Sequence, residues 1–315
     1  MRALAIVLIC LGVAGLVAAL VVMTSADETR VRVSGRPRPP VPDESPCPGG
    51  RPPRPRTDRV DADRAWSLLR RQVELGPRPA GSAASRRLAD DLRRHLPNGR
   101  LESVPARGPS ERPLRNVVGA VRGRDPVKLV VVGAHYDTKD LPGFVGANDG
   151  AGGTAAVVEL ARSIRPRELR PTVVFVLFDG EESPRGTSDA VFERAGLRGS
   201  RAAARRYPGA AAMVLLDFVA DRDLSIPRER NSTPALWEEV RAAAADAGVG
   251  CAFPAAVEEP IADDHLPFIR AGIPSINLID WSFDCWHRRC DDMSAVSKRS
   301  LDASSEAVAE LLARL

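Results

Sequence analysis

The chain has 315 residues, of which 44% are hydrophobic and 27% charged. This composition is typical of a globular protein and excludes a mainly disordered one. The formal net charge is +4, but residues 30–59 hold eight Arg against three acidic residues, whereas residues 60–315 hold 36 of each sign. A neutral domain with 4% aromatic residues lacks the basic surface and the stacking platform of a nucleic-acid-binding protein. We therefore expect no nucleic-acid partner.

An uncharged, almost wholly apolar segment runs from Ala3 to Met23. At about 1.5 Å per residue, a helix of this length crosses a bilayer core of ~30 Å. A cleavable signal peptide is the alternative, although its apolar region is usually only about 7–15 residues long. We expect residues 1–26 to be an anchor or signal peptide that places the remaining chain outside the cytoplasm. The expected location is the cell membrane, with secretion as the alternative.

Residues 27–59 form a Pro/Arg-rich segment. Nine of the 27 prolines of the chain lie within it, between Pro37 and Pro55. Such a segment buries little apolar area and predicts an extended linker. The third predicted unit is a catalytic domain over residues 60–315.

Helices and strands alternate within residues 60–315. Helical spacing of apolar residues begins at Asp61 and ends at Gly76-Pro77, and it begins again near Ser82 and ends before Pro97. Almost continuous apolar runs then predict buried strands at Lys128–Val132, Thr172–Phe178, Ala211–Leu216 and Ile273–Ile279. Helical spacing also covers Thr154–Ile164, Pro234–Ala247 and Leu301–Leu315. The pattern predicts an α/β fold with a mixed, mostly parallel central sheet and helices on both faces.

Polar residues follow each apolar run, and the carboxyl ends of parallel strands share one edge of a sheet. The residues concerned are His135 and Asp137 after the first run, Asp149 before the next helix, Glu181 and Glu182 after the second run, Asp217 at the end of the third, and His287 beyond the fourth. Imidazole and carboxylate groups together are typical ligands of zinc. We therefore expect a zinc site at this edge.

These motifs together resemble metallopeptidase family 28, which contains zinc aminopeptidases and glutaminyl cyclases. The resemblance rests on His-Tyr-Asp, Asn-Asp-Gly-Ala-Gly-Gly, Asp-Gly-Glu-Glu, a strand-end Asp and a late His, in this order. It extends from Leu75-Gly76-Pro77-Arg78 to the terminal helix and implies a zinc-exopeptidase-like fold.

The resemblance also implies a role for each residue. His135, Asp149 and Asp217 would hold one metal, and Asp149, Glu182 and His287 the second, because one carboxylate can bridge two cations about 3.5–4 Å apart. Asp137 would accept a hydrogen bond from the imidazole of His135. Glu181 would be the general base that takes a proton from the water activated by the metal. Two zinc ions are expected, or one if the chain is cyclase-like.

A further block, Asp263-Asp264-His265-Leu266-Pro267-Phe268, resembles the glutaminyl cyclase branch in particular. By this resemblance, Asp263 would bind the substrate amine and Trp286 would line the substrate pocket. The chain departs from the branch in two places. No Trp follows Glu182 where the cyclases carry one, and Ala262 replaces a Gln of the animal enzymes.

Cys10 lies in the apolar segment, which leaves Cys47, Cys251, Cys285 and Cys290. An even number of cysteines outside the cytoplasm indicates disulfides, with three possible pairings. Cys285 and Cys290 close a short loop around His287, and we expect this pair to form.

The leading functional prediction is a zinc aminopeptidase that hydrolyses N-terminal residues from peptides with a free N-terminus. The alternative is a glutaminyl-peptide cyclotransferase that forms N-terminal pyroglutamate. A third possibility, a non-catalytic peptidase-like binding module, is disfavoured because every expected ligand and Glu181 are present. The N-terminal residue preference, the oligomeric state and the natural substrate do not follow from the sequence.

We predict that the full chain fractionates with membranes through Ala3–Met23, because this apolar run is long enough to span a bilayer. Membrane fractionation and N-terminal sequencing of the exported protein test this. A mature protein that begins at Asp27 would show that the segment is a cleaved signal peptide.

Overall fold

The computed structural model describes residues 47–106 and 111–315. The predicted anchor or signal segment, Ala3–Met23, lies outside the described residues. Within the two described ranges, the search for a helix both long and apolar enough to cross a bilayer finds none.

A six-stranded mixed sheet forms the centre of the domain. In chain order the strands are β1 (Arg100–Val104), β2 (Leu114–Val121), β3 (Asp125–His135), β4 (Pro171–Phe178), β5 (Ala212–Asp217), β6 (Arg228–Glu229), β7 (Val257–Glu258) and β8 (Ser275–Ile279). The sheet order is β1-β2-β4-β3-β5-β8, while β6 and β7 form a separate pair. The neighbours β4, β3, β5 and β8 run parallel, whereas β1 and β2 are antiparallel additions. The predicted fold class is therefore confirmed.

Helices cover both faces of the sheet. They are α1 (Ala62–Glu74), α2 (Ala83–His95), α3 (Gly153–Ser163), α4 (Phe192–Ala195), α5 (Arg198–Arg206), α6 (Pro234–Asp246), α7 (Leu266–Arg270) and α8 (Lys298–Arg314). The larger core cluster joins one sheet face to apolar residues of α1, α2, α3, α6 and α8. A smaller cluster joins the other face to α5 and α7. Side chains alternate along each strand, so the central strands must be apolar on both faces.

The four predicted apolar runs coincide with β3, β4, β5 and β8, but the sequence patterns did not reveal β1 and β2. β1 lies at the sheet edge and is partly exposed, so it has no continuous apolar run. In β2 the run is interrupted by the buried Asn116 and by Gly119. A Cβ at Gly119 would lie 2.7 Å from the Cβ of Leu96, so the glycine permits this close approach.

The end of the predicted linker, residues 47–59, is attached to the domain. Cys47 is buried and forms a disulfide with Cys251. The backbone N–H of Arg56 donates to the carbonyl of Ala247 (2.7 Å), and that of Arg59 donates to Glu306 (2.7 Å). Residues 47–59 thus differ from an extended tether. The segment buries little apolar area, and it is held to the domain by a disulfide and by backbone hydrogen bonds instead.

We predict that replacing Cys47 and Cys251 together by Ala lowers the free energy of unfolding by about 2–5 kcal/mol. The disulfide spans 204 residues, and long loops lose the most chain entropy when they are closed. Denaturant unfolding under oxidising conditions measures the change. Removal of the Cys285–Cys290 pair, whose separation is only 5 residues, is the matched control and should have a smaller effect. Equal losses from both would contradict the loop-entropy explanation.

Candidate metal centre

The parallel strands bring the predicted site residues to one edge of the sheet. His135 is the last residue of β3 and Asp217 the last residue of β5. β4 ends at Phe178, just before Asp179-Gly180-Glu181-Glu182, and a loop beyond β8 carries His287. This is the edge where ligands bind in open α/β sheets.

Two groups of side chains at this edge have donor atoms close enough to share a metal ion. His135, Asp149 and Asp217 form the first group, and Asp149, Glu182 and His287 form the second. Within each group the donor atoms lie within 4.8 Å of one another. The structure therefore brings together all five residues that the sequence predicted as ligands.

Asp149 belongs to both groups and presents one oxygen to each. Its Oδ1 lies 3.2 Å from His135 Nε2, and its Oδ2 lies 3.5 Å from His287 Nε2. Oδ2 is buried and has no hydrogen-bond partner among the described residues. A buried carboxylate oxygen left in this state is costly unless a cation compensates it. The donor set, with its mixed imidazole and carboxylate groups, fits zinc.

The negative charge gathered at this edge also favours a bound cation. Burial raises the pKa of Asp217 to about 7. Burial alone would lower the pKa of His135, but the neighbouring carboxylates of Asp137, Asp149 and Asp217 outweigh it and raise the pKa well above its ordinary value. The shift of His135 reflects the carboxylates gathered around it, and a divalent cation would compensate their negative charge.

A tight turn, Ala147–Gly152, presents Asp149 to both imidazoles. Its conformation depends on Gly150, whose φ is +94° and whose position leaves no room for a side chain. A Cβ there would lie 2.9 Å from the carbonyl oxygen of Asp137. The turn is held from outside by Asp291, which accepts hydrogen bonds from the backbone N–H groups of Asn148 (2.7 Å) and Asp149 (3.1 Å).

The fully buried Arg78 ties this turn to the end of β3. Its guanidinium donates to the carbonyls of Tyr136 (3.0 Å), Val145 (2.5 Å) and Gly146 (3.0 Å). A buried guanidinium is tolerated only when its donors are satisfied. Arg78 therefore joins the segment after His135 to the segment before Asp149.

Asp137 has a different partner from the one expected. His135 Nδ1 lies 3.1 Å from the main-chain oxygen of Asp137, whereas the carboxylate oxygen is 3.7 Å away. The carboxylate instead accepts from the backbone N–H groups of Glu181 (3.3 Å) and Glu182 (3.2 Å). Asp137 thus orients His135 through its carbonyl and the Glu181-Glu182 pair through its side chain.

The two adjacent glutamates have opposite electrostatic surroundings. Burial and the neighbouring charge of Glu182 raise the pKa of Glu181 well above its ordinary value. Burial would raise that of Glu182 too, but His287 and Lys139 outweigh it and lower the pKa to about 2. Lys139 Nζ lies 2.9 Å from Glu182 Oε2. Glu182 is thereby suited to remain a charged ligand, and Glu181 to exchange a proton.

His287 lies in a constrained loop. A disulfide joins Cys285 and Cys290 on either side of it, which is the predicted pair. The residue adopts a left-handed backbone conformation (φ +51°), which is uncommon for a side-chain-bearing residue. The indole of Trp286 stacks on the imidazole with ring centroids 4.1 Å apart. The loop therefore restricts the orientations available to His287.

A small cavity of about 20 Å³ opens beside the second group. Asp149, Glu182 and His287 line it, together with Glu181 and Asp263. Asp263 is held there by hydrogen bonds from Asn277 Nδ2 (2.8 Å) and from the backbone N–H of Asp264 (2.6 Å). The residues predicted to bind substrate, Asp263 and Trp286, thus lie with Glu181 in one cavity.

Sequence reasoning missed several residues that support this centre. Lys139, Arg78 and Asp291 bind site residues or the backbone that carries them. Arg78 and Lys139 lie beside the motifs used above, but charged residues near a motif are usually exposed. Asp291 is distant from Asp149 in sequence, so only the fold shows their contact.

The α/β fold and the paired groups define a zinc-exopeptidase-like protein. Residues 116–312 match the model of peptidase family M28. The chain belongs to peptidase family M28, whose zinc dependence agrees with the two metal-binding groups.

The similar proteins are named either as glutaminyl cyclases or as an aminopeptidase. The glutaminyl-peptide cyclotransferase of Bothrops jararaca is 30% identical over 221 residues, which are 56% of this chain and 59% of that protein. The solved glutaminyl cyclase of Porphyromonas gingivalis is 30% identical with a TM-score of 0.71, over 81% of this chain and 99% of that one. A leucine aminopeptidase precursor from Bacteroides thetaiotaomicron is 25% identical with a TM-score of 0.71, over 83% and 99%. The chain therefore spans less than two thirds of the curated relative but nearly all of these solved structures.

We predict that His287→Ala weakens zinc binding by at least about 10–100-fold, the loss typical even of residues that only support a ligand. Zinc content after dialysis against a range of free zinc concentrations measures this. His95→Ala, on α2 and outside both groups, is the matched control and should bind zinc like the wild type. Unchanged zinc affinity in His287→Ala would remove this residue from the ligand set.

Proposed function

We propose that this protein is a glutaminyl-peptide cyclotransferase, which converts an N-terminal glutamine into pyroglutamate and releases ammonia. The observation that carries the proposal is that Glu181 and Asp263 share one small cavity with Asp149, Glu182 and His287. The cyclase names among the relatives at 30% identity support it. This reverses the order of the two enzyme activities expected from the sequence, while membership of peptidase family M28 supports an enzyme over a non-catalytic binding module.

The second group is the more open of the two towards the cavity. All three of its residues, Asp149, Glu182 and His287, line the cavity, whereas the first group contributes Asp149 and Asp217 but not His135, which is only 1% exposed. A substrate in the cavity would therefore meet the second group directly. Zinc bound to these three residues would supply a Lewis acid that polarises the side-chain carbonyl of the glutamine.

The reaction needs one proton to move between two nitrogen atoms. The α-amine attacks the side-chain amide carbon, a C–N bond forms, and the bond from that carbon to the amide nitrogen breaks. Glu181 takes a proton from the attacking amine and gives it to the leaving nitrogen, which departs as ammonia. The raised pKa of Glu181 suits both steps, because a carboxylate with a higher pKa is a stronger base and keeps the proton until the leaving nitrogen takes it.

Asp263 would hold the attacking amine. Its carboxylate lies in the same cavity as Glu181, and Asn277 and the backbone of Asp264 fix its orientation. A fixed carboxylate can accept hydrogen bonds from the amine and aim it at the amide carbon. Asp263 therefore positions the nucleophile while Glu181 transfers the proton.

Hydrolysis of the first peptide bond is the second candidate. It is favoured by the intact first group, His135, Asp149 and Asp217, which could hold a second zinc ion. It is also favoured by the likeness to the leucine aminopeptidase precursor. In that reaction Glu181 would take its proton from water and give it to the leaving peptide amine.

We also propose that the domain works outside the cytoplasm. The two disulfides, Cys47–Cys251 and Cys285–Cys290, support this location because disulfides persist in oxidising compartments. Whether the chain is anchored in the cell membrane or secreted depends on the segment before residue 47.

We predict that wild-type protein releases ammonia from a Gln-initiated peptide without shortening it, and that Glu181→Gln lowers the rate by about 10²–10⁴-fold. Mass spectrometry of the product and an ammonia assay measure both. Zinc content should not change, because Glu181 belongs to neither metal-binding group. Glu238→Gln, on the exposed side of α6, is the matched control.

The products also separate the two candidates. Release of free glutamine or of another first residue would establish the aminopeptidase instead. Full activity in Glu181→Gln would show that another group transfers the proton.

A further inference from the structure

A continuous series of aromatic rings leads from the end of β5 to the candidate metal ligand His287. Phe218 contacts Trp281 with ring centroids 6.1 Å apart, and Trp281 contacts Trp286 at 5.4 Å. Trp286 in turn stacks on His287 at 4.1 Å. Trp281 is therefore the middle member of the series and is joined to the metal centre through one intervening ring.

Trp281 is held in place by its neighbours in sequence. The buried side chain of Asp280 accepts hydrogen bonds from the backbone N–H groups of Ser225 (2.7 Å) and Ser282 (3.1 Å), and from the hydroxyl of Ser282 (2.6 Å). The backbone on both sides of Trp281 is thus fixed to β8 and to the loop after β5. An indole on such a rigid support presents its face in a defined direction.

The cavity beside the metal centre lies between two separate apolar clusters. Phe192 and Ala262 belong to one cluster, while Trp281 and Trp286 pack against the other. All four residues line the cavity. Trp281 is partly exposed, so part of its surface remains available to a bound molecule.

We propose that Trp281 is a specificity-determining residue, whose indole packs against the first side chain of the substrate in the cavity. This inference rests on the proposed function, because it takes that side chain to be the amide of an N-terminal glutamine. A planar amide group packs well on an aromatic face, and such contacts add to the burial of apolar area.

We expect the cavity to accept a neutral amide more readily than a carboxylate. Glu181 and Asp263 line the same cavity, and the indole offers no positive charge to a substrate. An N-terminal glutamate would bring a further negative charge into this space, whereas glutamine has the same shape without the charge. The indole of Trp281 adds a flat, uncharged surface to this cavity.

The experiment measures peptide binding separately from turnover. In the Glu181→Gln protein, which is expected to bind substrate without converting it, titration with a Gln-initiated peptide is followed by tryptophan fluorescence. The fluorescence change should be reduced in Trp281→Phe, with the remainder coming from Trp286 in the same cavity, and the Kd should rise roughly ten-fold in Trp281→Ala. Trp66→Phe, on α1 and away from the cavity, is the matched control and should leave both signals unchanged.

Kinetics on the protein with Glu181 intact provide a second readout. Trp281→Ala should raise KM roughly ten-fold and change kcat little, because the indole binds ground state and transition state alike. The preference for Gln-initiated over Glu-initiated peptides should fall as well. Zinc content and thermal midpoint identify any variant that fails to fold, and Trp281→Phe then serves in place of Trp281→Ala.

The two proposals fail in different ways. An unchanged Kd and an unchanged fluorescence response in both Trp281 variants would overturn the role of Trp281. If wild-type protein releases no ammonia while the Trp281 variants still weaken binding of the Gln-initiated peptide, the cyclase reaction is wrong and the role of Trp281 stands.

Discussion

The site depends on one buried carboxylate, Asp149, which faces an imidazole with each of its two oxygens. His135 and His287 approach it from β3 and from the loop beyond β8, so this residue connects both halves of the metal centre. Burying a carboxylate without compensation is costly. A bound zinc ion would compensate this charge, so the stability of the site should depend on zinc binding.

The surrounding polar groups act on the backbone that carries the ligands. Asp291 holds the turn containing Asp149, Arg78 joins that turn to the end of β3, and Asp137 holds the pair Glu181-Glu182. Each is buried, so each contact is made in a region where an unmatched polar group would be destabilising. This arrangement fixes ligand geometry before the metal binds, which reduces the reorganisation needed for catalysis.

The likeness to both cyclases and an aminopeptidase has a simple chemical basis. Both reactions polarise a carbonyl group and move a proton from an attacking nucleophile to a leaving nitrogen, so the proposed role of Glu181 would be the same in either. The difference lies in what enters the cavity and which atom attacks. In this chain Asp263, Trp281 and Trp286 line the space beside the second metal-binding group. We therefore expect these three residues to determine which substrate enters the cavity.

The sequence by itself determined the central strands, the principal helices and the five candidate metal ligands that the fold brings together. Buried parallel strands require continuous apolar runs, and the polar residues that follow such runs must meet at one edge of the sheet. Only the tertiary structure decided the partners of Cys47 and of Asp137, and it alone revealed Asp291 and Trp281 at the site. Some of these contacts join loops that are distant in sequence, and the contact of Asp137 depends on whether a side-chain or a main-chain oxygen accepts. A sequence reveals helices and strands through the periodic burial of one face. Loop contacts bury no face periodically, so the sequence does not reveal them.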